Sequence, residues 1–348
     1  MFAELEVTKL EVTSGFTADY TLRPATLADA TAVSDLCNLC AIELTGAPEI
    51  APEEVANDWQ TPGFTPAESA RLAVTPEGDV VGMVEVWDIN PIPVNNYVFG
   101  RVHPAHTGRG IGSRMLAWAE NTLQRSLTRV PAGARVVMRA SALSTHAPSQ
   151  ALLAGSGMQV VRHFWRMAMD LKAQPAQPVW PDGIVLRTFG EVDDLTAVYH
   201  AIEDSFADHW GYVAQPEAEG LKRWRHWIET DKHFDPSLWL LAMAGAEIAG
   251  ASLCRSSAYD DPQMGWVNTL GVRRGWRRQG LGLALLQQSF GEFYRRGKAR
   301  AGLGVDAASL TGATRLYEKA GMHVARQYIT YEKELQPGRD LSKQALDE

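Results

Sequence analysis

Hydrophobic and polar positions along the chain follow two different periods, and the changes between them predict the secondary structure. In the second half of the sequence, short apolar runs typical of strands alternate with longer stretches at helical spacing. The stretch 281–294, for example, places Leu283, Leu286, Phe290 and Phe293 on one face of a helix. The predicted strands are 184–188, 238–243, 247–256, 265–272, 301–306 and 323–335, and the predicted helices are 191–206, 216–229, 281–294 and 312–321. This order predicts an α/β fold of the α+β type, in which helices cover a mixed sheet.

The same order of elements occurs twice. "YTLRPATLADATAV" from Tyr20 resembles "IVLRTFGEVDDLTAV" from Ile184, and "GSGM" ending at Met158 resembles "KAGM" ending at Met322. The matched positions stay about 165 residues apart, which predicts a duplicated domain. Between the copies lies "KAQPAQPVWPDG", whose prolines and lack of periodicity are typical of an extended linker. The predicted organisation is a first domain at 1–172, a linker at 173–183 and a second domain at 184–348.

Composition narrows the class of protein. A chain of 348 residues exceeds what one hydrophobic core usually serves, which agrees with two domains. No apolar run reaches the ~18 residues that span a bilayer, so a cytoplasmic protein without a membrane partner is expected. The net charge of −8 argues against nucleic-acid binding and favours cationic small substrates. Cys37 and Cys40 lie in "VSDLCNLCAIEL", a predicted amphipathic helix. They are expected to be core residues rather than zinc ligands or redox-active thiols.

A glycine-rich basic turn, "RRQGLG" at 277–282, separates a predicted strand from a predicted helix. The first amides of a helix are unpaired and carry the positive end of its dipole, so this turn predicts an anion site suited to a diphosphate. Gly280 and Gly282 remove side chains that would hold the ligand off, and Arg277 and Arg278 add charge. The dinucleotide fingerprint fails at Leu285, where its third glycine should stand. A P-loop fails because Leu281 and Gly282 replace Lys and Ser or Thr.

The remaining pattern, [Arg/Gln]-x-x-Gly-x-[Gly/Ala] after a strand ending in valine, followed by "LYEKAGM", resembles the GCN5-related N-acetyltransferases. The resemblance covers both repeats, in a tandem arrangement similar to that of mycothiol synthase. It implies that acetyl-CoA is the co-substrate and that no metal is needed. The residues that it assigns to acetyl-CoA in the second domain are Leu270, Val272, Arg277, Arg278, Gln279, Gly280, Leu281, Gly282 and Ser309.

In this family an amine attacks the thioester directly, so the resemblance implies an acid for the thiolate and a base for the ammonium. Tyr317 matches the family's tyrosine, and its phenol, with a pKa of about 10, stays protonated at neutral pH. No glutamate stands at the start of strand 265–272, where some relatives carry the base. His209 and Asp208, with Glu203 and Asp204, are the alternatives, and a chain of waters is another. The candidate catalytic residues are therefore Tyr317, His209 and Asp208.

The aromatic residues after the first helix of the second domain are candidates for the acceptor pocket. They are Trp210, Tyr212, Trp224 and Trp227. Aromatic walls beside carboxylates suit an amine on an apolar or ring-bearing scaffold, although core packing explains at least half of these residues.

The first domain keeps only part of the motif. Val102, Arg109, Gly110 and Gly112 are retained and are assigned to CoA by the same resemblance, with His103 and His106 beside the turn. Thr107 replaces the leading Arg or Gln, and Leu153 stands where Tyr317 falls in the second domain. Because leucine cannot donate a proton, this half is expected to be structural or occupied by CoA, and to complete a pseudo-dimer.

The sequence thus predicts an acetyl-CoA-dependent N-acetyltransferase whose active site lies in the second domain. The alternative is a non-catalytic CoA-binding or interaction module. The expected partner is a small-molecule amine: an aminoglycoside-like compound, a polyamine and an amino-sugar thiol precursor all remain open, as does a protein amine. Both a monomer and a homodimer remain open.

Overall fold

The computed structural model describes residues 19–309 and 312–344. The strands and helices of the N-terminal half (19–172) are β1 Thr21–Pro24, α1 Ala30–Thr45, α2 Pro52–Asp58, α3 Pro66–Ser69, β2 Ala70–Val74, β3 Val80–Trp87, β4 Asn95–Val102, α4 Ile111–Gln124, β5 Val136–Leu143, α5 Ala147–Gly155 and β6 Gln159–Asp170. Those of the C-terminal half (184–344) are β7 Ile184–Thr188, α6 Phe189–Val192, α7 Leu195–Phe206, α8 Glu217–Thr230, β8 Trp239–Ala244, β9 Glu247–Arg255, β10 Met264–Val272, α9 Leu281–Arg295, β11 Arg300–Asp306, α10 Ala313–Lys319 and β12 His323–Gln336.

The predicted strands and helices of the second half are confirmed with shifts of a few residues at their ends, except that the predicted helix 191–206 is divided into α6 and α7 at Asp193, whose φ is positive at 49°. On α9, Leu286, Phe290 and Phe293 are buried as predicted, whereas Leu283 is only half-buried. The predicted linker forms neither helix nor strand. Cys37, Cys40 and Cys254 are free thiols inside the core, as expected.

All twelve of these strands form one mixed sheet with the order β1-β2-β3-β4-β5-β12-β6-β11-β10-β9-β8-β7. Two neighbouring pairs are parallel, β4 with β5 and β10 with β11, and the others are antiparallel. If the six strands of each half are numbered in chain order, the strand order is the same when it is read from either edge of the sheet. The fold is therefore a mixed α/β sheet built from two copies of one unit.

The last strands of the two halves are exchanged at the centre of the sheet. β12 pairs with β5 of the N-terminal half, and β6 pairs with β11 of the C-terminal half. Each exchanged strand also contributes side chains to the core of the other half. Tyr331 of β12 is buried in the N-terminal core, and Met167 of β6 is buried in the C-terminal core. Each half therefore depends on a strand from the other for its core.

In the C-terminal half, helices cover both faces of the sheet. α9 lies on one face, where Ser289 contacts Ser252 of β9. On the other face α7 and α8 pack around Trp239 and Leu253. Among the described residues, no helix has the length and apolar character needed to cross a membrane.

Candidate active site

A gap opens between β10 and β11. The two strands pair from Met264 to Val267 against Arg300 to Leu303, and beyond these positions they continue without pairing to each other. On its other side β10 remains bonded to β9, and Arg273 N donates to Ala249 O. Because backbone groups alternate in an antiparallel ladder, Leu270 and Val272 direct theirs into the gap. This edge therefore offers backbone groups to a peptide-like ligand, and the binding of acetyl-CoA by these two residues stays a prediction.

A β-bulge at Asn268 lies where β10 separates from β11, although in the N-terminal half β4 separates from β5 after Tyr97 without a bulge. The register between β10 and β9 shifts between Val267 and Thr269, whereas β4 pairs with β3 without a shift. A bulge bends its strand and increases the local twist, so it re-aims the groups that follow it. The two halves differ at this point, and the sequence analysis did not foresee it.

The turn at 277–282 has the shape of an anion site. Arg278 and Gly280 both have positive φ, at 64° and 86°, and Gly280 is the N-cap of α9. The side chain of Gln279 donates to Gly275 O at 3.1 Å, which holds the turn. The first amides of α9, from Leu281 and Gly282, have no acceptor within the helix and point outward at its positive end.

Gly282 also faces α10. A Cβ there would lie 3.2 Å from Cδ2 of Leu316 on α10. This glycine therefore lets α9 and α10 pack closely, and its contact with a diphosphate stays a prediction.

Arg277 and Asp208 form an ion-pair network at the base of the turn. Nη1 of Arg277 donates to Oδ2 of Asp208 at 2.6 Å, its Nε to Val272 O at 3.0 Å and its Nη2 to Ser205 O at 3.0 Å. Arg274 binds the other carboxylate oxygen at 2.6 Å. These hydrogen bonds, first that from Arg274, hold the pKa of Asp208 below its usual range.

These contacts change the expected role of Asp208. A buried carboxylate with both oxygens bound to arginines is a poor base, so the geometry makes Asp208 a positioning residue. Direct binding of a diphosphate by Arg277 stays a prediction, since its guanidinium faces Asp208 and two backbone carbonyls.

Tyr317 lies on α10 with its ring buried beside the gap, in the same cluster as Val267 and Leu303. Burial raises its pKa to about 12. Its hydroxyl has no hydrogen-bond partner among the described residues. A buried, protonated phenol without a partner is well placed to donate to a ligand atom in the gap. Ser309 lies before α10, where its hydroxyl accepts from Ala313 N at 3.4 Å.

The other candidate bases are occupied in different ways. Glu203 accepts a hydrogen bond from the Tyr212 hydroxyl, and Asp204 pairs with Arg273 at the surface. His209 packs on Phe206 with ring centroids 4.2 Å apart, and burial lowers its pKa, so the imidazole is neutral at pH 7. The neutral imidazole of His209 can accept a proton, so this residue stays a candidate base.

The aromatic candidates separate into two groups. Trp210 lies against the guanidinium groups of Arg139 and Arg162, at 4.2 and 4.7 Å, and so joins the two halves. Trp224 and Trp227 pack around Trp239 under α8. Part of the set is therefore structural, as the sequence analysis allowed.

The first half keeps the turn and a similar gap, because β4 and β5 pair only from Asn95 to Tyr97, but it lacks the tyrosine. Gly108 and Gly110 repeat the positive φ values, at 73° and 79°, and a Cβ on Gly112 would lie 2.7 Å from Leu152 Cδ2. Arg109 donates to the Tyr20 hydroxyl, which also contacts His106.

Leu153, at the position of Tyr317, is buried in the N-terminal core. The carbonyl of Val102, which matches Val272, accepts from the Cys40 thiol instead of an arginine. The first half thus keeps the backbone shape of the turn but has no tyrosine hydroxyl at the position of Tyr317.

No group of three or more His, Cys, Asp or Glu side chains in residues 19–309 and 312–344 is arranged to hold a metal ion.

Comparison with known proteins gives one family. The sequence model of the Acetyltransferase (GNAT) family matches residues 35–150 and 195–322. The chain is 30% identical over 280 residues to a mycothiol acetyltransferase of Streptomyces scabiei, covering 78% of this chain and 80% of that protein. It is 32% identical to a mycothiol acetyltransferase of Thermobispora bispora, covering 72% of this chain and 80% of that protein.

Solved structures agree with the repeated fold. A crystal structure of a GCN5-related N-acetyltransferase from Sphaerobacter thermophilus has a TM-score of 0.76 and 36% identity, over 94% of this chain and 99% of that one. A tandem GNAT protein from the clavulanic acid biosynthesis pathway has a TM-score of 0.64 over 92% of this chain and 100% of that one. At 16% identity, the second likeness concerns the fold alone.

Proposed function

The chain belongs to the Acetyltransferase (GNAT) family, and from this premise we propose that it transfers an acetyl group from acetyl-CoA to a small-molecule amine in the C-terminal half. The observation that carries the proposal is the Tyr317 hydroxyl, which has no hydrogen-bond partner among the described residues and whose buried ring lies beside a gap that begins near an anion-binding turn. The relatives named as mycothiol acetyltransferases support a small-molecule acceptor.

The amides at the start of α9 would hold the diphosphate of acetyl-CoA. From there the pantetheine arm would run along β10, where Leu270 and Val272 direct backbone groups into the gap. This path brings the thioester toward Tyr317. The arm would lie in the gap between β10 and β11.

In the reaction the unprotonated amine forms a C–N bond to the thioester carbonyl carbon, and a backbone N–H of β10 stabilises the oxyanion. The C–S bond then breaks, and the proton of Tyr317 passes to the departing sulfur. The ammonium proton leaves through His209 or a chain of waters. Asp208 and Arg277 act at a distance by fixing the turn.

Replacing Tyr317 with Phe tests this assignment. We expect acetyl-dependent thiol release to fall by about 10²-fold or more, because general acid catalysis is lost. The dissociation constant for acetyl-CoA should remain within about twofold, since backbone groups supply the cradle. The measurement is free-thiol release in steady state with a panel of amines, together with calorimetric titration of acetyl-CoA.

Leu153→Ala is the matched control, because it changes the corresponding position of the first half. It should lower stability through a core cavity and leave kcat unchanged at temperatures where the protein is folded. Turnover by Tyr317→Phe equal to that of the wild type would contradict the assignment of Tyr317. An absence of amine-dependent thiol release from the wild-type protein would contradict the proposed function.

A further inference from the structure

The loop between α7 and α8 lies against the N-terminal half, although both helices belong to the C-terminal half. We call residues 207–216 the α7–α8 loop. The side-chain amide of Asn95 on β4 donates to Gly211 O at 2.9 Å. Val213 packs on a cluster of buried apolar residues that all come from the N-terminal half. His209, the candidate base, stands directly before these contacts in the loop.

Residues 338–344, which follow β12, pair with this loop, and we call them the C-terminal strap. The strap begins on the segment before β5, where Arg339 N donates to Gly133 O at 2.8 Å and Arg339 O accepts from Arg135 N at 2.9 Å. Leu341 then packs on the same apolar cluster as the loop. The strap is therefore anchored to the N-terminal half before it reaches the α7–α8 loop.

Backbone and side-chain hydrogen bonds join the strap to the loop. Gly211 N donates to Lys343 O at 2.8 Å, and Lys343 N donates to Tyr212 O at 2.9 Å. Trp210 donates from Nε1 to Oε1 of Gln344 at 2.9 Å. Three consecutive residues of the loop are thus bonded to the strap, and they come directly after the candidate base.

The ring of Trp210 also connects the loop to the end of β11. The guanidinium of Arg162 lies 4.7 Å from that ring and pairs with Asp306, the last residue of β11, at 3.6 Å. The charges that act on the His209 imidazole include Asp306 and Arg277, and Arg277 is bonded to the carbonyl at the end of β10. His209 therefore lies near the ends of both strands that border the gap.

The corresponding loop of the N-terminal half is fixed by its own half. It joins α1 to α2 at 46–51, and the side chain of Asn38 on α1 accepts from the backbone amides of Glu49 and Ile50. Glu49 also pairs with Arg101 of β4 at 2.8 Å. The two loops thus differ in what holds them, since the α7–α8 loop is bound by the strap and by the other half.

We propose that the C-terminal strap and Trp210 are positioning elements, which fix the α7–α8 loop on the N-terminal half and so hold His209 at the gap where the acetyl group is transferred. This inference rests on the proposed function. It gives the first half a part in the reaction that needs neither a tyrosine nor a second active site. Because the strap acts through the loop, acetyl-CoA binding should not depend on it.

Truncation of the chain after Asp340 tests the proposal, because it removes the strap's bonds to the loop and keeps β12. We expect the pKa of His209 to rise toward its ordinary value of about 6.5, since the burial that lowers it is partly relieved. The charged groups that face the imidazole, Asp208, Asp306 and Arg277, stay in the chain. The measurement is NMR titration of the histidine ring signals, with His209→Gln to assign the signal.

The same truncation should separate turnover from acetyl-CoA binding. We expect kcat to fall by about tenfold or more, because a displaced base is no longer oriented toward the amine. The dissociation constant for acetyl-CoA should stay within about twofold, since the backbone amides of α9 are unchanged.

Two further variants separate positioning from a loss of stability. Trp210→Phe removes the Nε1 donor and keeps a ring between the arginines, so it should raise the pKa of His209 by a smaller amount. This variant decides the question if the truncated chain does not fold. Leu153→Ala is the control, because it weakens a different core cluster and should leave the His209 titration unchanged.

The same His209 titration in the truncated chain and in the wild type would overturn the proposal, as would an unchanged kcat in the truncated chain. The titration does not depend on turnover. A shifted titration in a protein that acetylates no amine would contradict the proposed function and leave the assignment of the strap standing.

Discussion

At the scale of single residues, Arg277 shows how a motif position acquires its role from a partner elsewhere in the chain. The motif suggested a residue that touches a diphosphate. In the structure its three nitrogen atoms are bonded to Asp208, Ser205 O and Val272 O. It thereby joins the end of α7, the end of β10 and the glycine turn. The residue type was predictable from the sequence, but its partner was not, because Asp208 resembled a solvated acid at a helix end.

Asp208→Asn is expected to lower the free energy of unfolding by about 1–3 kcal/mol at pH 7, because charge-assisted hydrogen bonds to two arginines are weakened. The folded-state pKa of Asp208 lies below its unfolded value. Its stabilisation is therefore complete above about pH 4 and is lost as the pH falls through the folded pKa. The difference between wild type and variant should shrink below pH 4, as measured by urea unfolding across pH.

Asp204→Asn provides the matched control, since Asp204 also pairs with an arginine but its side chain is 54% exposed. Its effect should stay below about 1 kcal/mol. Similar losses in the two variants would contradict a special role for the buried network.

At the scale of elements, the two glycine turns have the same backbone shape in different surroundings. Positive φ recurs at Gly108 and Arg278, and again at Gly110 and Gly280. The anion-binding property of a helix start depends on backbone amides and not on the side chain of Arg277 or Thr107. Both turns are therefore expected to bind the diphosphate of CoA, although Tyr317 has a counterpart only in the buried Leu153.

Substituting Asp for Gly280 or for Gly110 separates binding from chemistry. In each variant the new carboxylate repels the diphosphate and the positive φ strains the backbone. Calorimetry should show two CoA sites in the wild type and one in each variant. Turnover should be lost in Gly280→Asp and kept in Gly110→Asp. A single site in the wild type that Gly110→Asp leaves unaffected would show that the first turn is structural.

The strands and helices of the second half were predictable because each carries its own periodicity or cap. The bulge at Asn268 was not, since it is a property of the pairing between β9 and β10 rather than of either sequence. A cavity between α2 and α8 could not be predicted for the same reason. Asp58 and Arg255 belong to different halves, and nothing near either residue in the sequence indicates that they line one cavity.

At the scale of the whole molecule, the duplication was visible in the sequence, whereas the exchange of strands was not. β6 and β12 have similar lengths and similar apolar patterns in their first halves, but Glu332, Lys333 and Glu334 of β12 stand where β6 has Ala168, Met169 and Asp170. Ion pairs between the halves favour the exchanged arrangement. Glu332 of β12 pairs with Arg139 of β5, and Asp260 after β9 pairs with Arg166 of β6. The two units are consequently expected to fold together rather than one at a time.

Dividing the chain in the linker between Gln177 and Pro178 tests this cooperation. Fragment 1–177 lacks β12, and fragment 178–348 lacks β6, so each loses a strand from its core and gains an unpaired sheet edge. We expect neither fragment alone to be a folded monomer in size-exclusion chromatography and circular dichroism. Mixing them should give a 1:1 complex with the activity of the intact protein.

As a control, cleavage at an inserted protease site in the same exposed linker after folding should leave activity and thermal stability nearly unchanged, because no strand or helix is cut. A stable, monomeric fragment with its own cooperative transition would mean that the exchanged strands are dispensable.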